Sequence, residues 1–371
     1  MTALTTVAIL AAALFLTQPG MKDQPASPAA PSQPAQPKPD DPASTVRFGR
    51  PEPLPKTAGC IRITTFNVEN LFDDKDDPKL SGTFEDKNAA KPADQLKAAA
   101  DAIIALDADV VCLEEVESEE ALGWFRDHWL KGAGYDYTAS LDAGDPRGIE
   151  QAVLSRFPVK NARNYVHQKL GGRQPDKWGK ENNPEAGAPF EFKRSPLQVT
   201  ITVPNTSVAD LLKKAGKAES RAESYELTLF VVHLKSGRDY DAQRAAEAEG
   251  VVRLIETLTH QNQSANVLVL GDCNATLNQG ALKPFEQAGL PSIFADRNPR
   301  DPLTMTHTTA RCIDHVFYNA GIKPELRLDS RFVLGMPAIP DRADARTTPK
   351  PPGYASDHYP VSIDLSPIEA N

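Results

Sequence analysis

From residue 60 onward the chain repeats one pattern, short runs rich in apolar and β-branched residues, most of them apolar on both faces, separated by stretches of helical length. The runs are IRITTFNV (61–68), DVVCLEE (109–115), AVLSRF (152–157), PLQVTITV (196–203), ELTLFVVHL (226–234), NVLVLGDCNA (266–275), CIDHVFYN (312–319) and HYPVSIDL (358–365). A strand that is apolar on both faces must be covered on both faces, which demands stacked layers. Helices are expected over residues 93–106, 119–130 and 241–258, so the class is α/β. No internal repeat of about 20–50 residues appears. One domain over residues 59–371 is therefore expected. The polar span 205–224 reads as a part-helical hairpin loop. The Gly/Pro/Asn-rich span 169–189, with Lys177, Trp178 and Lys180, reads as a substrate-side loop.

Upstream, residues 7–16 (VAILAAALFL) form an apolar run of ten. That is about half of the ~20 residues needed to span a bilayer. Residues 1–20 read as a signal peptide although no Lys or Arg precedes the run. Export is the expectation, with no transmembrane segment in the mature chain; the alternative is a buried or frayed N-terminal helix. Ten of the 32 prolines fall between Pro25 and Pro55 among Ala, Gln, Ser and Asp. Such a composition buries too little surface to offset its ordering entropy, so residues 21–58 are expected to form an extended spacer.

With 41 Lys+Arg against 50 Asp+Glu, the formal charge is −9. A generic nucleic-acid coat is excluded; a polyanion would bind only through a local basic patch or a bridging cation. The four cysteines, at 60, 112, 273 and 312, are too dispersed for a disulfide scaffold or a zinc–thiolate motif.

Acidic, amide and imidazole groups gather at strand ends: Asn67, then Glu114 and Glu115, His233, Asp272 and Asn274, with Asp314 inside one strand and Asp357 and His358 before the last. In α/β sheets that edge is where ligands bind. Oxygen donors without cysteine suit a hard cation, Mg²⁺ first, with Mn²⁺ or Ca²⁺ open, and such ions serve phosphate esters.

The strings Thr-Phe-Asn67-Val-Glu-Asn-Leu-Phe, Cys-Leu-Glu-Glu115-Val-Glu, His233-Leu-Lys-Ser, Gly-Asp272-Cys-Asn274-Ala, Ile-Asp314-His-Val-Phe and Ser-Asp357-His358-Tyr-Pro-Val follow the order of the endonuclease/exonuclease/phosphatase superfamily, which the chain resembles over residues 61–365. The resemblance implies a four-layered α/β sandwich, with two mixed sheets face to face and helices outside, that cleaves phosphate esters with a divalent metal. It implies Glu115, Asn67 and Asp357 as cation ligands, with Glu69 placed where some relatives keep a metal-associated acid. Asp272 would orient or deprotonate the attacking water, Asn274 would meet phosphoryl oxygens, His358 oriented by Asp314 would bind the phosphate or assist the leaving oxygen, and His233 would be the second imidazole. Phe192-Lys193-Arg194-Ser195-Pro196 resembles the segment by which deoxyribonuclease I presents a phosphate-contacting arginine, and Asp145-Pro-Arg147-Gly148-Ile resembles exported bacterial nuclease-like members.

Two positions depart from the pattern. Glu114 stands where Gln is common, adding charge beside the cation, and Cys273 replaces Phe, a packing change. Arg194 and Arg147 are also open to plain ion pairing. His315, on the strand face opposite Asp314, is expected to pack, and His128, His167, His260 and His307 carry no motif. The run from Asp73 to Asp77 reads as a solvated acidic turn. The expected activity is an exported, metal-dependent phosphodiesterase acting as a monomer on nucleic acid or another phosphodiester. A sphingomyelinase or inositol-phosphate phosphatase is the alternative, and a noncatalytic binding module the third reading.

Overall fold

The computed structural model describes residues 46–75, 90–216, 224–340, 343–344 and 347–368. The expected signal peptide and most of the expected spacer lie outside the described residues, as do Asp76, Asp77 and residues 217–223.

In chain order the elements are β1 (Ile61–Leu71), α1 (Ala93–Leu106), β2 (Val110–Val116), α2 (Glu119–Trp129), β3 (Tyr137–Ser140), β4 (Glu150–Ser155) and β5 (Val159–Arg163). Four short strands follow, β6 (Lys169–Arg173), β7 (Lys177–Trp178), β8 (Glu181–Asn182) and β9 (Pro189–Glu191). The remainder is β10 (Leu197–Val203), α3 (Asn205–Lys214), β11 (Tyr225–His233), α4 (Asp241–Gln261), β12 (Val267–Asp272), α5 (Lys283–Gln287), β13 (Asp314–Tyr318), β14 (Leu326–Val333) and β15 (Val361–Leu365). Six strands form one sheet in the order β14-β15-β1-β2-β4-β3, and five form the other, β13-β12-β11-β10-β5. Each sheet holds one parallel pair, β1 with β2 and β11 with β12.

The double apolar faces read from the sequence resolve into two cores. Side chains alternate across a strand. Leu229, Val231, Leu268 and Leu270 therefore join Ile63, Val110 and Cys112 in the core between the sheets. Phe230, Val232, Val267 and Val269 point the other way and pack beneath Ala248, Val251 and Ile255 of α4. This is the expected four-layered sandwich. Local chemistry supports its helices: Ser118 caps α2 by accepting from the Ala121 N–H, with Glu119 and Glu120 in the first turn and Arg126 and His128 in the last.

The end of the expected spacer is not a spacer. Val46 bridges Pro337 and Arg50 bridges Leu334. The Gly49 N–H donates to Pro302 O at 2.9 Å and the Gly335 N–H to Arg50 O at 2.7 Å. Phe48 packs on the core. A Cβ on Gly335 would lie 2.1 Å from Phe48 O, so only glycine admits this approach. Composition did not reveal the docking, because main-chain hydrogen bonds and one aromatic hold the segment. Deletion through Pro55 should therefore cost about 2–4 kcal/mol, several main-chain hydrogen bonds at ~1 kcal/mol each. Deletion ending at Thr45 should spare them. Thermal melts of both truncations check this; equal melting temperatures would refute the docking.

A buried ion pair ties the same region to the sheet. Arg62 Nε donates to Asp364 Oδ1 at 2.7 Å and Nη2 to Oδ2 at 3.2 Å, while Nη1 donates to Leu54 O and Leu106 O at 2.8 and 3.0 Å.

Candidate active site

Strand register assembles the centre. β11 and β12 run parallel with His233 opposite Asp272, and β12 pairs antiparallel with β13 so that Asp272 lies opposite Asp314. Three groups far apart in sequence thus stand side by side on one rim. Gly271 has φ 140°, and a Cβ there would lie 2.0 Å from Val232 O, so glycine is required for β12 to sit this close to β11.

The neighbouring sheet contributes through an irregularity. Register shifts between Glu114 and Val116 on β2, where Glu115 has φ 66°. In a regular strand two successive residues face opposite ways; the bulge redirects Glu115 to the rim. Asn67 Nδ2 lies 3.2 Å from Asp272 Oδ2 and 3.4 Å from Glu115 Oε1, and its Oδ1 accepts the Glu69 N–H at 3.0 Å.

Asp272 is the hub. Its Oδ1 accepts the Asn274 N–H at 2.8 Å, and its Oδ2 accepts Asn274 Nδ2 at 3.0 Å and lies 3.3 Å from His233 Nε2. Burial pushes the carboxyl up to about 6, the Asp314 charge adding to the rise and His358 opposing it. His358 Nδ1 lies 3.0 Å from both Asp314 oxygens, and its Nε2 lies 3.8 Å from Asp272 Oδ2 and 3.9 Å from Asp357 Oδ1. Burial alone would deprotonate this ring, but Asp314 and Asp272 hold it well above the ordinary imidazole range. His233 is the opposite case: burial, then the charges of Arg194 and His358, holds it well below that range. The two imidazoles therefore differ in charge, His358 cationic and His233 neutral.

Several expected residues fall elsewhere. Asn274 was expected to meet phosphoryl oxygens, yet its Nδ2 donates to Asp272 Oδ2 and to Leu234 O at 3.1 Å. Both partners are acceptors, so both amide hydrogens are occupied, and Asn274 orients the Asp272 carboxylate instead. Arg194 is 6% exposed; its Nε donates to Asp145 Oδ2 at 2.7 Å and its Nη1 to Leu234 O at 3.2 Å. It anchors the loop bearing Asp145 rather than presenting a free guanidinium to a phosphate. Arg147, on that loop, does reach the rim, donating to Asn70 Oδ1 and lying 3.4 Å from Glu115 Oε2.

Glu114 is fully buried between the sheets. Thr65 Oγ1 donates to its Oε1 at 2.7 Å. Burial above all, with Asp314 and Asp272 adding, holds its carboxyl well above the carboxylate range. It is a neutral acid in shape and charge close to the glutamine it replaces, and adds no charge beside a cation. Glu114→Gln should therefore leave turnover near wild type, whereas Glu115→Gln should shift a Mg²⁺ or Mn²⁺ activation midpoint upward by on the order of tenfold, a charged oxygen donor being lost. Metal titrations of both variants decide it; an unshifted Glu115→Gln midpoint would remove Glu115 from the ligand set.

Glu69 accepts from the Tyr354 hydroxyl at 2.6 Å and lies 3.8 Å from Lys350 Nζ. Burial, then the Asp357 charge, raises its carboxyl. Lys91 Nζ donates to Glu69 O at 2.9 Å; burial brings this ammonium down to about 8 against the attraction of Glu69, Glu115 and Asp357. His315 packs as expected, Nε2 at 3.0 Å from Ala275 O and its ring on Phe317. Cys273 is buried in the apolar cluster under α4. Trp178 stacks on Tyr240 with ring centroids 4.6 Å apart, and Lys235 Nζ sits 4.3 Å from the Tyr240 centroid.

Sequence reading missed Lys91, Tyr354 and, most clearly, His307. His307 Nε2 lies 3.3 Å from Asp357 Oδ2, and its ring meets His358 edge-on at 4.6 Å. The Thr309 N–H donates to His307 Nδ1 at 3.0 Å. With Nε2 facing a carboxylate oxygen, His307 donates to Asp357 and steadies that carboxylate. His307, Asp357 and His358 offer ligand atoms within 4.8 Å of one another, and His307 spends its Nε2 on the hydrogen bond to Asp357. The flanking Thr residues are too common to have flagged it.

Comparison with known proteins places this geometry. The human Nocturnin catalytic domain with bound sulfate matches with a TM-score of 0.50 at 15% identity, covering 88% of this chain and 98% of its own. Danio rerio (D. rerio) TDP2 complexed with single-strand DNA product matches at 0.49 and 14%, covering 82% and 98%. A Bacteroides thetaiotaomicron mannosyl-6-phosphatase matches at 0.48 and 13%, covering 82% and 99%. At 15% identity the Nocturnin likeness speaks to the fold alone. Among curated proteins none matches the chain. The model of the endonuclease/exonuclease/phosphatase family matches residues 64–358, from β1 to the histidine beside Asp314, and the chain belongs to that family.

Proposed function

We propose that the protein is an exported, divalent-metal-dependent phosphodiester hydrolase that cleaves DNA or RNA by direct attack of water. The observation that carries this reading is the buried carboxylate hub, Asp272 held by Asn67 and Asn274 with neutral His233 on one side and the Asp314-bound imidazolium of His358 on the other. Asp272 orients the water and takes its proton. His358 offers Nε2–H to an oxygen of the phosphate, and Asp314 keeps that ring protonated and aimed. Glu115, Asn67, Asp357 and Glu69 supply carboxylate and carboxamide oxygens, a donor set that fits a hard cation, Mg²⁺ foremost and Mn²⁺ or Ca²⁺ next. When bound, such an ion neutralises phosphate oxygens and polarises phosphorus. His307 holds Asp357 in place, and Arg147 stands at the rim for a nonbridging oxygen.

Export rests on the apolar run at residues 7–16. Among the described residues no helix is long and apolar enough to cross a membrane. The packing of Trp178 on Tyr240 leaves that hairpin without a free aromatic for a lipid surface, which favours nucleic acid over sphingomyelin.

The test is turnover of plasmid DNA, RNA, bis-nitrophenyl phosphate, sphingomyelin and inositol phosphates with Mg²⁺ and with chelator. Metal-dependent cleavage of DNA or RNA is expected; activity confined to sphingomyelin or inositol phosphates would overturn the nucleic-acid reading, and none on any phosphate ester would overturn the hydrolase. The pH dependence follows from the site. A base acts only when unprotonated, so kcat/KM should fall as pH drops through about 6, where Asp272 takes up its proton, and fall again at high pH as His358 loses its own. A profile flat through the acid limb would take Asp272 out of the role of base.

A further inference from the structure

A cavity of about 510 Å³ is lined by Thr276, Leu277, Phe294, Arg297, Arg300 and Cys312, among others. Its position is tied to the centre at both ends. Thr276 lies two residues past Asn274 and Cys312 two before Asp314. Two residues reach at most about 7 Å, so the cavity begins one short step from the hub. Arg311, next to Cys312, donates from Nη2 to Asn274 O at 3.2 Å.

The lining has two characters. Leu277, an exposed large apolar side chain, and buried Phe294 form an apolar wall. Arg297 and Arg300 are exposed and, among the described residues, have no carboxylate within ion-pair distance. The neighbouring Asp296 is already engaged, both its oxygens accepting from Arg331 Nη2 at 2.8 Å. The loop itself is folded: the Arg297 N–H donates to Phe294 O at 3.0 Å and the Arg300 N–H to Asn298 Oδ1 at 3.0 Å. On a chain of charge −9, two unneutralised guanidiniums beside an apolar wall are suited to an organic group that carries its own anion.

We infer that this cavity binds a second phosphate of the substrate, held by Arg297 and Arg300, with the organic unit that joins it to the reacting phosphate lying on Leu277 and Phe294. The inference rests on the phosphodiesterase reading for its orientation and deepens it: the enzyme distinguishes substrates with two neighbouring phosphates from simple diesters. The second phosphate belongs either to the next nucleotide of a strand or to a small polyphosphorylated polyol.

Calorimetric binding separates these without turnover. In an Asp272→Asn background, with and without Arg297→Ala/Arg300→Ala, the probes are a nucleoside 3′,5′-bisphosphate, the matching 5′-monophosphate and an inositol bisphosphate. The expected result is bisphosphate binding at least about tenfold tighter than monophosphate, lost in the double arginine variant, with monophosphate affinity unmoved. A nucleoside bisphosphate outbinding the inositol compound identifies a strand as the source, and the reverse identifies a polyol. Equal affinity for one and two phosphates, no measurable binding of either bisphosphate, or a double variant that binds like its parent would overturn the cavity assignment. Arginine-dependent bisphosphate binding by a protein that cuts neither DNA nor RNA would keep the cavity and overturn only the nucleic-acid reading.

Discussion

Asp272→Asn should lower phosphodiester turnover by about 10²–10⁴-fold while the protein still folds. In the proposed reaction the carboxylate is the proton acceptor, and it is the meeting point of Asn67, Asn274 and His233. An amide keeps an accepting oxygen for those donors but cannot take a proton from water. His358 requires a different substitution. His358→Ala would strip Asp314, 1% exposed, of its imidazolium and leave a buried charge unpaired, which costs stability as well as rate. His358→Asn keeps a short donor in that place, so its loss of rate, again about 10²–10⁴-fold, is read with less interference from unfolding. Steady-state kinetics with a thermal melt of each variant gives both quantities. More than about a tenth of wild-type turnover in Asp272→Asn would sink its assignment as the base.

Asp364→Ala should cost about 3–5 kcal/mol of stability without touching the chemistry. Asp364 is fully buried, binds the Arg62 fork through both oxygens and also accepts the Thr57 N–H at 2.7 Å. Truncation leaves the guanidinium buried without a carboxylate, with Leu54 O, Leu106 O and the face of Phe332 for partners, and an uncompensated buried cation is among the most costly single defects. Urea unfolding reads the loss as a lower midpoint with an unchanged slope. A change below about 1 kcal/mol would mean that the pair is no more than a surface-like contact.

Two aspects of the site were legible residue by residue. Runs such as ELTLFVVHL and NVLVLGDCNA were apolar on both faces and so had to be covered twice, and several runs ended near a group able to hold a cation, a water or a phosphate. Hydrophobic period reports burial directly, which is why the layered α/β class and the rim were legible in the sequence, whereas the two-sheet sandwich followed only from the resemblance to the family. Glu114 shows the limit. Adjacent to Glu115 in sequence, it read as a second charge at the cation; the bulge at φ 66° turned one carboxyl to the rim and left the other between the sheets. Arg194 failed for a related reason, since a motif names a residue type and says nothing of the Asp145 that covers it.

The sequence by itself determined the layered α/β class, the order of the chemical groups along the chain and the edge at which they collect, because these depend on local period and spacing. Only the tertiary structure decided the rest. Register set His233, Asp272 and Asp314 abreast; loops distant in sequence brought His307 to Asp357 and Tyr354 to Glu69; and residues 46–50 docked on the end of β14 and the segment beyond it. Such partnerships join residues separated by up to several hundred positions. No periodicity encodes them: they follow from the chain closing on itself, where packing and main-chain hydrogen bonds choose which polar groups meet.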